Sequence, residues 1–428
     1  MSLLRKELGL EQQMALDIAE SGSSVAILGV AGSGKSELIR LLDGDNTMIF
    51  APTGISALNV GGETCHRGFK IPLGLITVLD RKSVRAETKA KFRNVDRIVI
   101  DEGLMVRRDA FEHIDYVLRQ CRNKKLPFGG IQMIIVGDGF QLPPVVGWSE
   151  KKAYYSIYES EWAFTSEAWD FPTVVLTKVF RQDNPRQVKI LNSIRIGDKW
   201  RELALKRLID EAQPYTPDPD VLTLCCFKAD AELINNKHYG RNIKDERIYW
   251  SLDSGKISDL KSVPVAAKVC LKEGIRVMVA ANDEDAGYYN GDMGHVRGFL
   301  DDAVQVELDR GPMVWVAHTK WEIFAYSAGK GGVTKTPTAV REQIPLLLGY
   351  AITVHKAQGS TLGKVAIDLG RGAFAKHQFY VAISRVRDLT DISFVKTPRL
   401  SDIQVDAQVQ AFYKKIEAAQ VEKQEGLG

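Results

Sequence analysis

The stretch Val25-Ala-Ile-Leu-Gly-Val-Ala-Gly-Ser-Gly-Lys-Ser36 decides the fold of this chain. Its last eight residues, 29–36, match the phosphate-binding loop pattern G-x-x-x-x-G-K-[ST]. The apolar run before the loop predicts a buried strand, and residues 37–42 have helical spacing. Because strand, glycine loop and helix follow in this order, the pattern indicates a nucleotide site rather than a glycine-rich turn.

Each part of this loop has a predicted role at the phosphates. Glycine lets the backbone N–H groups curl around an anion, and the helix N-terminus adds partial positive charge. We expect Lys35 to reach the β- and γ-phosphates and Ser36 to hold Mg²⁺. The predicted nucleotide-binding residues of the loop are Gly29, Ala31, Gly32, Ser33, Gly34, Lys35 and Ser36.

Composition restricts the class of protein. The chain has 428 residues, of which 45% are hydrophobic and 26% charged, as in a soluble protein of two to four domains. It contains no apolar run of the ~20 residues that a membrane helix needs. Without a signal or transit pattern at the start, we expect no membrane partner and a cytoplasmic location in a prokaryote or phage. The five cysteines form no C-x-x-C pair, which argues against zinc and disulfides.

Two further apolar strands end in residues suited to nucleotide chemistry. The strand at 97–100 runs into Asp101 and Glu102. We expect Asp101 to hold Mg²⁺ through water and Glu102 to polarise the attacking water. The strand at 131–136 leads to Gln141, which we expect beside the γ-phosphate. The repeated strand–loop–helix order predicts a parallel sheet with right-handed crossovers.

Other segments suggest a nucleic-acid ligand and a change of architecture. The strand at 48–51 ends in Pro52 and Thr53, where open α/β sheets bind ligands. Residues 64–70 mix a hydroxyl, an imidazole, a ring and two cations, which suits a phosphate backbone and a stacked base. Residues 257–345 alternate short apolar runs with turns and predict an all-β insert.

Together these motifs resemble the Pif1-type superfamily 1B DNA helicases, related to RecD and Dda. The resemblance extends from Gln12 to about residue 395. The matching segments, in chain order, are Gln12 (the adenine-reading glutamine), 29–36, 51–62, 64–66, 101–102, 137–145, 179–182 with Leu191, Asn192, Arg195 and Gly197, then Gly274, 277–278, Asn282, 290–291, 355–361 and 380–385.

The resemblance implies an α/β fold of two RecA-like P-loop domains with parallel sheets and an SH3-like β insert. The expected bounds are 1–175 for domain 1A with a small wedge insertion at about 64–95, 176–256 and 346–428 for domain 2A, and 257–345 for domain 2B. ATP and Mg²⁺ would lie between the RecA-like domains, with Arg181 and Arg385 as arginine fingers from the second.

The resemblance also implies the activity and the partners. It implies an ATP hydrolase that moves 5′ to 3′ on single-stranded DNA and unwinds tailed or forked duplexes, possible G-quadruplex binding, and a monomer. The residues that it assigns to DNA are Pro52, Thr53, Thr64, His66, Asn235, His355, Lys356 and Thr361.

The chain departs from the family pattern twice. Where the family usually has Asp-Glu-Ile-Ser-Met, this chain has Gly103 and Leu104 after its two acids. Where the family has a Thr-Asn pair before Asn235, this chain has Phe227 and Lys228. We therefore expect the packing next to Asp101 and Glu102, and the DNA contact near residue 227, to differ from those of the family.

Two other functions remain open at this point. One is a nucleotide-gated module that grips single-stranded DNA without unwinding it. The other is a P-loop kinase, although Gln141 and two distant arginine motifs argue against it, since a kinase would not need them.

Overall fold

The computed structural model describes residues 8–72, 74–81, 83–180, 184–329 and 332–425. Within these ranges the side chains of 262, 325–329, 332–335 and 420–425 lie outside the description. The helices of the described chain are α1 (Leu10–Glu20), α2 (Lys35–Leu42), α3 (Gly54–Asn59), α4 (Cys65–Gly68), α5 (Ala86–Phe92), α6 (Arg108–Cys121), α7 (Lys151–Ile157), α8 (Pro185–Ile196), α9 (Arg201–Glu211), α10 (Lys228–Arg241), α11 (Val354–Ala357), α12 (Gln378–Ile383) and α13 (Ala407–Glu425).

The first domain is built on a parallel sheet. Its strands are β1 (Val25–Gly29), β2 (Thr47–Ala51), β3 (Glu63–Thr64), β4 (Arg97–Ile100), β5 (Gln132–Gly137) and β6 (Thr173–Leu176). They pair in the order β3-β2-β4-β5-β1-β6, and every pairing is parallel. Strands β1 and β2 are buried throughout, because helices cover both faces of the sheet.

A second parallel sheet forms the second domain. Its strands are β7 (Leu222–Cys225), β18 (Ala351–Thr353), β19 (Val365–Asp368) and β20 (Ile392–Phe394). They pair in the order β18-β7-β19-β20. Helices α8, α9 and α12 pack on this sheet and share one apolar core with it. The predicted α/β fold with two parallel sheets is confirmed.

Antiparallel strands form a third unit, here called the β domain. The strands between the two halves of the second domain are β8 (Glu246–Trp250), β9 (Leu252–Gly255), β10 (Lys268–Lys272), β11 (Arg276–Val279), β12 (Met293–Phe299), β13 (Ala303–Leu308), β14 (Met313–Ala317), β15 (Thr319–Gly329), β16 (Gly332–Gln343) and β17 (Leu346–Leu348). They form a five-stranded sheet β14-β13-β12-β11-β17, a three-stranded sheet β15-β16-β9 and the pair β10-β8.

The sheet pairing places more residues in the β domain than the range 257–345 predicted from sequence. Strand β8 pairs with β10, and β9 pairs with β16. Strand β17 pairs with β11 and not with the parallel sheet of the second domain. The pairing therefore extends the β domain to residues 246–348, because strands that share a ladder satisfy one another's backbone groups.

The last helix, α13, packs on the first domain, although its sequence position follows the second. Val409 and Tyr413 are buried in the core of the first domain. Its entry is tied to that domain by the indole of Trp162, which donates a hydrogen bond to Asp406 over 3.0 Å. The bounds predicted from the sequence place residues 346–428 in domain 2A, whereas the start of α13 packs on the first domain.

Among the described residues, no helix is both long enough and apolar enough to cross a membrane.

Candidate nucleotide and nucleic-acid site

One continuous cleft of about 1340 Å³ separates the two parallel-sheet domains. Its walls combine the phosphate loop and the acids of the first domain with the basic segments of the second. The lining residues used below are Gln12, Gly32, Gly34, Lys35, Ser36, Thr53, Asp101, Glu102, Met105, Gln141, Phe180, His355, Lys356, Gln358, Thr361, Arg385 and Arg387. The fold thus brings predicted nucleotide-binding residues and some of the predicted DNA-binding residues into one cleft.

The phosphate loop connects β1 to α2 as predicted. Gly34 has φ +82° and stands directly before the first residue of α2, so a side chain there would be strained. Lys35 Nζ donates hydrogen bonds to the carbonyl oxygens of Gly29 at 2.8 Å and Val30 at 3.0 Å. Burial lowers the pKa of Lys35, and the carboxylates of Asp138, Glu102 and Asp101 oppose that shift.

Gln12 lies against the phosphate loop and not on a solvated helix surface. Its side chain is buried, and Nε2 donates to the carbonyl oxygen of Ser33 over 3.1 Å. The other end of the amide accepts from the N–H of Gly9 over 2.8 Å. A Cβ on Gly34 would lie 2.4 Å from Gln12 Nε2, so a larger residue there would displace this amide in addition to straining the backbone. Gln12 supports the loop as well as being a candidate for adenine recognition.

Two acids face Lys35 from the end of β4. The backbone N–H of Glu102 donates to Asp101 over 2.9 Å. Burial and the neighbouring Asp101 raise the pKa of Glu102 to about 7, while Lys35 acts in the opposite direction. Burial also raises the pKa of Asp101. Two carboxyl groups with raised pKa in a cleft are typical of a site that binds a cation or exchanges a proton.

Glu102 also has an unusual backbone. Its φ is +48°, a conformation that costs a non-glycine residue free energy and is concentrated at functional sites. The next residue is the first departure from the family pattern. A Cβ on Gly103 would lie 2.6 Å from Ile135 Cγ2, so a larger residue at this position would require the Ile135 side chain on β5 to shift.

The structure adds a buried ion pair that the sequence did not identify as part of the site. Asp138 follows β5, and Arg195 Nη2 on α8 donates to it over 2.6 Å. Burial alone would raise the pKa of Asp138, but Arg195 reverses the effect and lowers it. Arg195 also covers the ring of Phe140, 4.5 Å from its centroid. Position 195 was noted in the family resemblance, but only the tertiary structure shows its partner across the domain boundary.

Gln141 contacts the second domain directly. Gln358 Nε2 donates to Gln141 Oε1 over 3.0 Å, and it also lies 3.5 Å from the sulfur of Met105. Gln358 belongs to the 355–361 segment, whereas Met105 follows the two acids. The predicted γ-phosphate residue and the predicted DNA segment are therefore one hydrogen bond apart.

Arg385 reaches the cleft from the second domain. Its guanidinium donates to the carbonyl of Val381 over 2.8 Å and to Ser384 Oγ over 2.7 Å. It lies close enough to Glu102 to act against the raised pKa of that carboxyl group. Arg387, which was not predicted, is exposed in the same cleft. The predicted arginine finger at position 181 lies outside the described residues.

Four of the eight predicted DNA residues line the cleft. Thr53 Oγ1 caps α3 by accepting from the N–H of Ser56 over 3.1 Å. His355 and Lys356 are exposed on the short helix α11, and Thr361 follows it. These residues come from the carboxyl ends of strands in two different sheets, the edge at which open α/β sheets bind ligands.

The other four predicted DNA residues lie elsewhere. Pro52 precedes Thr53 but is not part of the cleft lining, and Thr64 and His66 stand at and within α4. Asn235 has a different use. Its amide donates to the carbonyl of Ala351 over 2.7 Å and accepts from the N–H of the same residue over 3.0 Å. We infer that Asn235 positions strand β18, because both ends of its amide are occupied.

The donor set fits a nucleotide with a hard divalent cation. The hydroxyl of Ser36 is exposed in the cleft, and Asp101 stands at the end of the neighbouring strand. Hydroxyl and carboxylate oxygens together with phosphates are the ligands that Mg²⁺ takes in such loops. A cation there would also offset the burial that raises the pKa of Asp101.

Comparison with known proteins agrees with this site. Residues 7–196 match the family model described as PIF1-like helicase. The chain is 34% identical over 426 residues to the ATP-dependent DNA helicase Pif1 of Bdellovibrio bacteriovorus, covering 96% of this chain and 92% of that protein.

Solved structures of Pif1 from Bacteroides sp have the same fold. The complex with ADP-AlF4 has a TM-score of 0.88 at 32% identity and covers 96% of this chain and 97% of the other. The form bound to single-stranded DNA has a TM-score of 0.67 at 32% identity and covers 98% of each chain. On its sequence and its fold, the chain belongs to the PIF1-like helicase family.

Proposed function

We propose that this protein is an ATP-dependent DNA helicase that moves 5′ to 3′ along single-stranded DNA and unwinds tailed or forked duplexes. One observation carries the proposal: Arg385 of the second domain and Glu102 of the first line the same cleft as four of the predicted strand-binding residues. Hydrolysis that needs groups from both domains is coupled to their relative motion. The names of the relatives, ATP-dependent DNA helicases, support this activity.

The residues divide into roles according to the group that they face. Lys35 supplies positive charge at the β- and γ-phosphates, and Glu102 takes the proton of the attacking water. Ser36 and Asp101 are the proposed Mg²⁺ ligands, and the ion would neutralise charge on the phosphates. When the cleft closes, Arg385 brings its positive charge toward the γ-phosphate. Arg181 is proposed as a second arginine finger.

The contact between Gln141 and Gln358 supplies a route from hydrolysis to the DNA. Gln358 lies two residues from Lys356, and Thr353 holds this short helix by accepting from the Lys356 N–H over 3.3 Å. A γ-phosphate that competes for Gln141 would disturb its bond to Gln358. We therefore propose that nucleotide state changes the grip of the 355–361 segment on the strand.

The domain assignment that supports this mechanism is itself a proposal. It places domain 1A at 1–175 together with the start of α13, domain 2A at 176–245 and 349–404, and domain 2B at 246–348. Strand pairing in the β domain and the packing of Tyr413 support these bounds. G-quadruplex binding and the monomeric state stay predictions, which a competition assay and sedimentation would test.

Strand displacement tests the proposal. Duplexes with a 5′ tail, with a 3′ tail and with blunt ends are incubated with the protein, ATP and MgCl₂. We expect displacement of the 5′-tailed substrate alone, together with ATP hydrolysis that single-stranded DNA stimulates. The Lys35→Ala variant is the control, since it should bind the strand but neither hydrolyse ATP nor unwind.

Each other function predicts a different result. A module that only grips DNA would bind the tail and hydrolyse ATP without displacing the partner strand. A kinase would ignore DNA altogether. Displacement from the 3′ tail would contradict the proposed polarity while leaving the helicase activity in place.

A further inference from the structure

A pair of aromatic rings stands on the second domain beside the predicted strand-binding helix. Phe227 caps the start of α10, and Phe374 lies in the loop between β19 and α12. Their ring centroids are 4.9 Å apart with planes inclined by 32°. Phe374 is 55% exposed, so much of its ring faces water. A single exposed apolar residue needs no explanation, but two rings in contact, one of them largely exposed, suggest a binding surface.

One buried amide holds the two loops that carry these rings. Gln378 is fully buried, and its Oε1 accepts from the backbone N–H of Phe374 over 3.1 Å. Its Nε2 donates to the carbonyl of Cys226, the residue before Phe227, over 3.3 Å. Because the backbone on both sides is fixed by the same side chain, the rings keep their positions without being buried.

The ring pair continues toward the cleft. The ring of His355 lies 6.2 Å from that of Phe374, with the planes inclined by only 18°. Lys356, the next residue, is exposed in the cleft. A flat apolar surface therefore adjoins the residues that are predicted to hold the DNA backbone.

The charges around the pair favour a polyanion. The Arg371 guanidinium lies 5.5 Å from the Phe227 ring centroid, and Arg371 itself is exposed. Lys228 is 79% exposed and pairs with Glu232 at 3.2 Å, which is a weak contact in solvent. The acids near this surface are Glu232, Asp230 close to Gly370, Asp368, which accepts from the Gly370 N–H, and the buried Asp402, which accepts from the Ala373 N–H. Cations next to exposed rings are the combination that binds single-stranded nucleic acid.

We propose that Phe374 and Phe227 form a platform on which a base of the bound single strand stacks, next to the backbone contacts of His355 and Lys356. The inference rests on the proposed function and specifies how that site holds its DNA. It also explains the second departure from the family pattern, since a ring and a cation replace the Thr-Asn pair at positions 227 and 228. The platform takes any base, because every base has a flat face.

The test compares two strands that differ only in their bases. One probe is a fluorescent oligothymidine of about 16 nucleotides, and the other has the same backbone with abasic sites. Phe374→Ala should weaken binding of the oligothymidine roughly 5- to 150-fold, the range for loss of one stacked base. It should leave binding of the abasic strand unchanged and the salt dependence of both strands as in the unmodified protein.

Two variants at the same position separate the ring from its apolar character. Phe374→Tyr keeps a flat ring and should retain affinity for the oligothymidine. Phe374→Leu keeps apolar surface but not the ring, and should behave like Phe374→Ala. The thermal unfolding midpoint of each variant shows whether the protein has kept its fold. If Phe374→Ala does not fold, Phe374→Leu replaces it as the variant that lacks the ring.

Two results would overturn the platform. An equal loss of affinity for both strands would mean that Phe374 acts on the backbone or on the fold, and no loss for either would mean that it does not contact the strand. Failure of the proposed function looks different, because it is seen in the unmodified protein. A gripping module would bind the strands without displacing a duplex, and a kinase would bind neither strand.

Discussion

The two ends of the cleft hold their charges in opposite ways. At the nucleotide end, Arg385 is buried and Lys35 and Glu102 are half-buried, and burial lowers the pKa of Lys35 and raises that of Glu102. At the strand end, His355 and Lys356 are exposed on a short helix. Chemistry on a phosphate gains from fixed charges in a dry environment, where electrostatic interactions are strong. A moving strand needs contacts that form and break readily, which exposed and screened charges provide.

The comparison teaches which contacts tolerate change. At the nucleotide end the carboxylates of Asp138, Glu102 and Asp101 act on the cation of Lys35, so loss of one charged group leaves the others less compensated in a partly buried space. At the strand end a lost cation is replaced by water and salt. We therefore expect substitutions at the first end to cost orders of magnitude and those at the second to cost much less. The predictions below run from the largest expected effect to the smallest.

Arg385→Ala should have the largest effect. It removes the planar cation that the second domain brings toward the γ-phosphate, so the kcat of DNA-stimulated ATP hydrolysis should fall about 10³- to 10⁵-fold. Arg385→Lys should recover little, because a point charge does not reproduce the guanidinium fork. Affinity for an ATP analogue, measured separately, should change little.

Arg207→Ala is the matched control for Arg385, since Arg207 is an exposed arginine on α9 of the same domain. It should hydrolyse ATP at the normal rate. If Arg385→Ala also hydrolyses ATP normally but cannot unwind a 5′-tailed duplex, then Arg385 couples the domains and does not complete the site.

Glu102→Gln should lower kcat by roughly 10²- to 10⁴-fold, the usual contribution of a general base, while ATP still binds. The raised pKa of Glu102, about 7, adds a pH dependence with a defined sign. A base acts only when deprotonated, so kcat/KM of the unmodified protein should rise as pH increases through about 7. The rise should be absent in Glu102→Gln. Loss of nucleotide affinity in this variant would instead make Glu102 a metal ligand.

Arg195→Met tests the buried pair that joins the domains. The substitution leaves Asp138 buried and charged without its partner, which should lower the free energy of unfolding by about 3–5 kcal/mol. Urea unfolding followed by circular dichroism measures the loss. The double substitution Arg195→Met, Asp138→Leu should recover much of it, because no uncompensated charge remains. Equal instability of the single and double variants would show that packing on Phe140 and not charge explains the effect.

Lys356→Ala should have the smallest effect. Removing one exposed cation should make the slope of log affinity against log salt about 0.7 shallower, the value for one phosphate of a single strand. The loss should be the same for all DNA sequences, since backbone contacts do not distinguish bases. Lys206→Ala, an exposed lysine on α9, should leave the slope unchanged. A loss that depends on sequence would indicate a base contact at Lys356.

Local patterns were sufficient for the nucleotide end. The order of strand, glycine loop and helix predicted the phosphate loop, and apolar strands that end in acids predicted the positions of Asp101 and Glu102. These features are readable because each is made by residues adjacent in the chain, where backbone geometry links sequence to structure. The same alternation predicted a parallel sheet, and the family resemblance implied that there are two.

Long-range packing decided what the sequence could not. Strands β8, β9 and β17 lie outside the range 257–345 that was predicted for the β insert, and only their partners place them in the β domain. The pair Asp138–Arg195 and the contact between Gln141 and Gln358 join residues 57 and 217 positions apart. No repeating pattern of neighbouring residues predicts such pairs, because they form only when separate helices and strands pack against one another.

The sequence by itself therefore determined the fold class, the phosphate loop and the acids that face it. The tertiary structure decided which cations share the cleft with those acids, how closely Ile135 packs on Gly103, and where the rings of Phe227 and Phe374 meet. The physical reason is that backbone preferences act over a few residues, whereas charge compensation and close packing act between surfaces that only folding brings together.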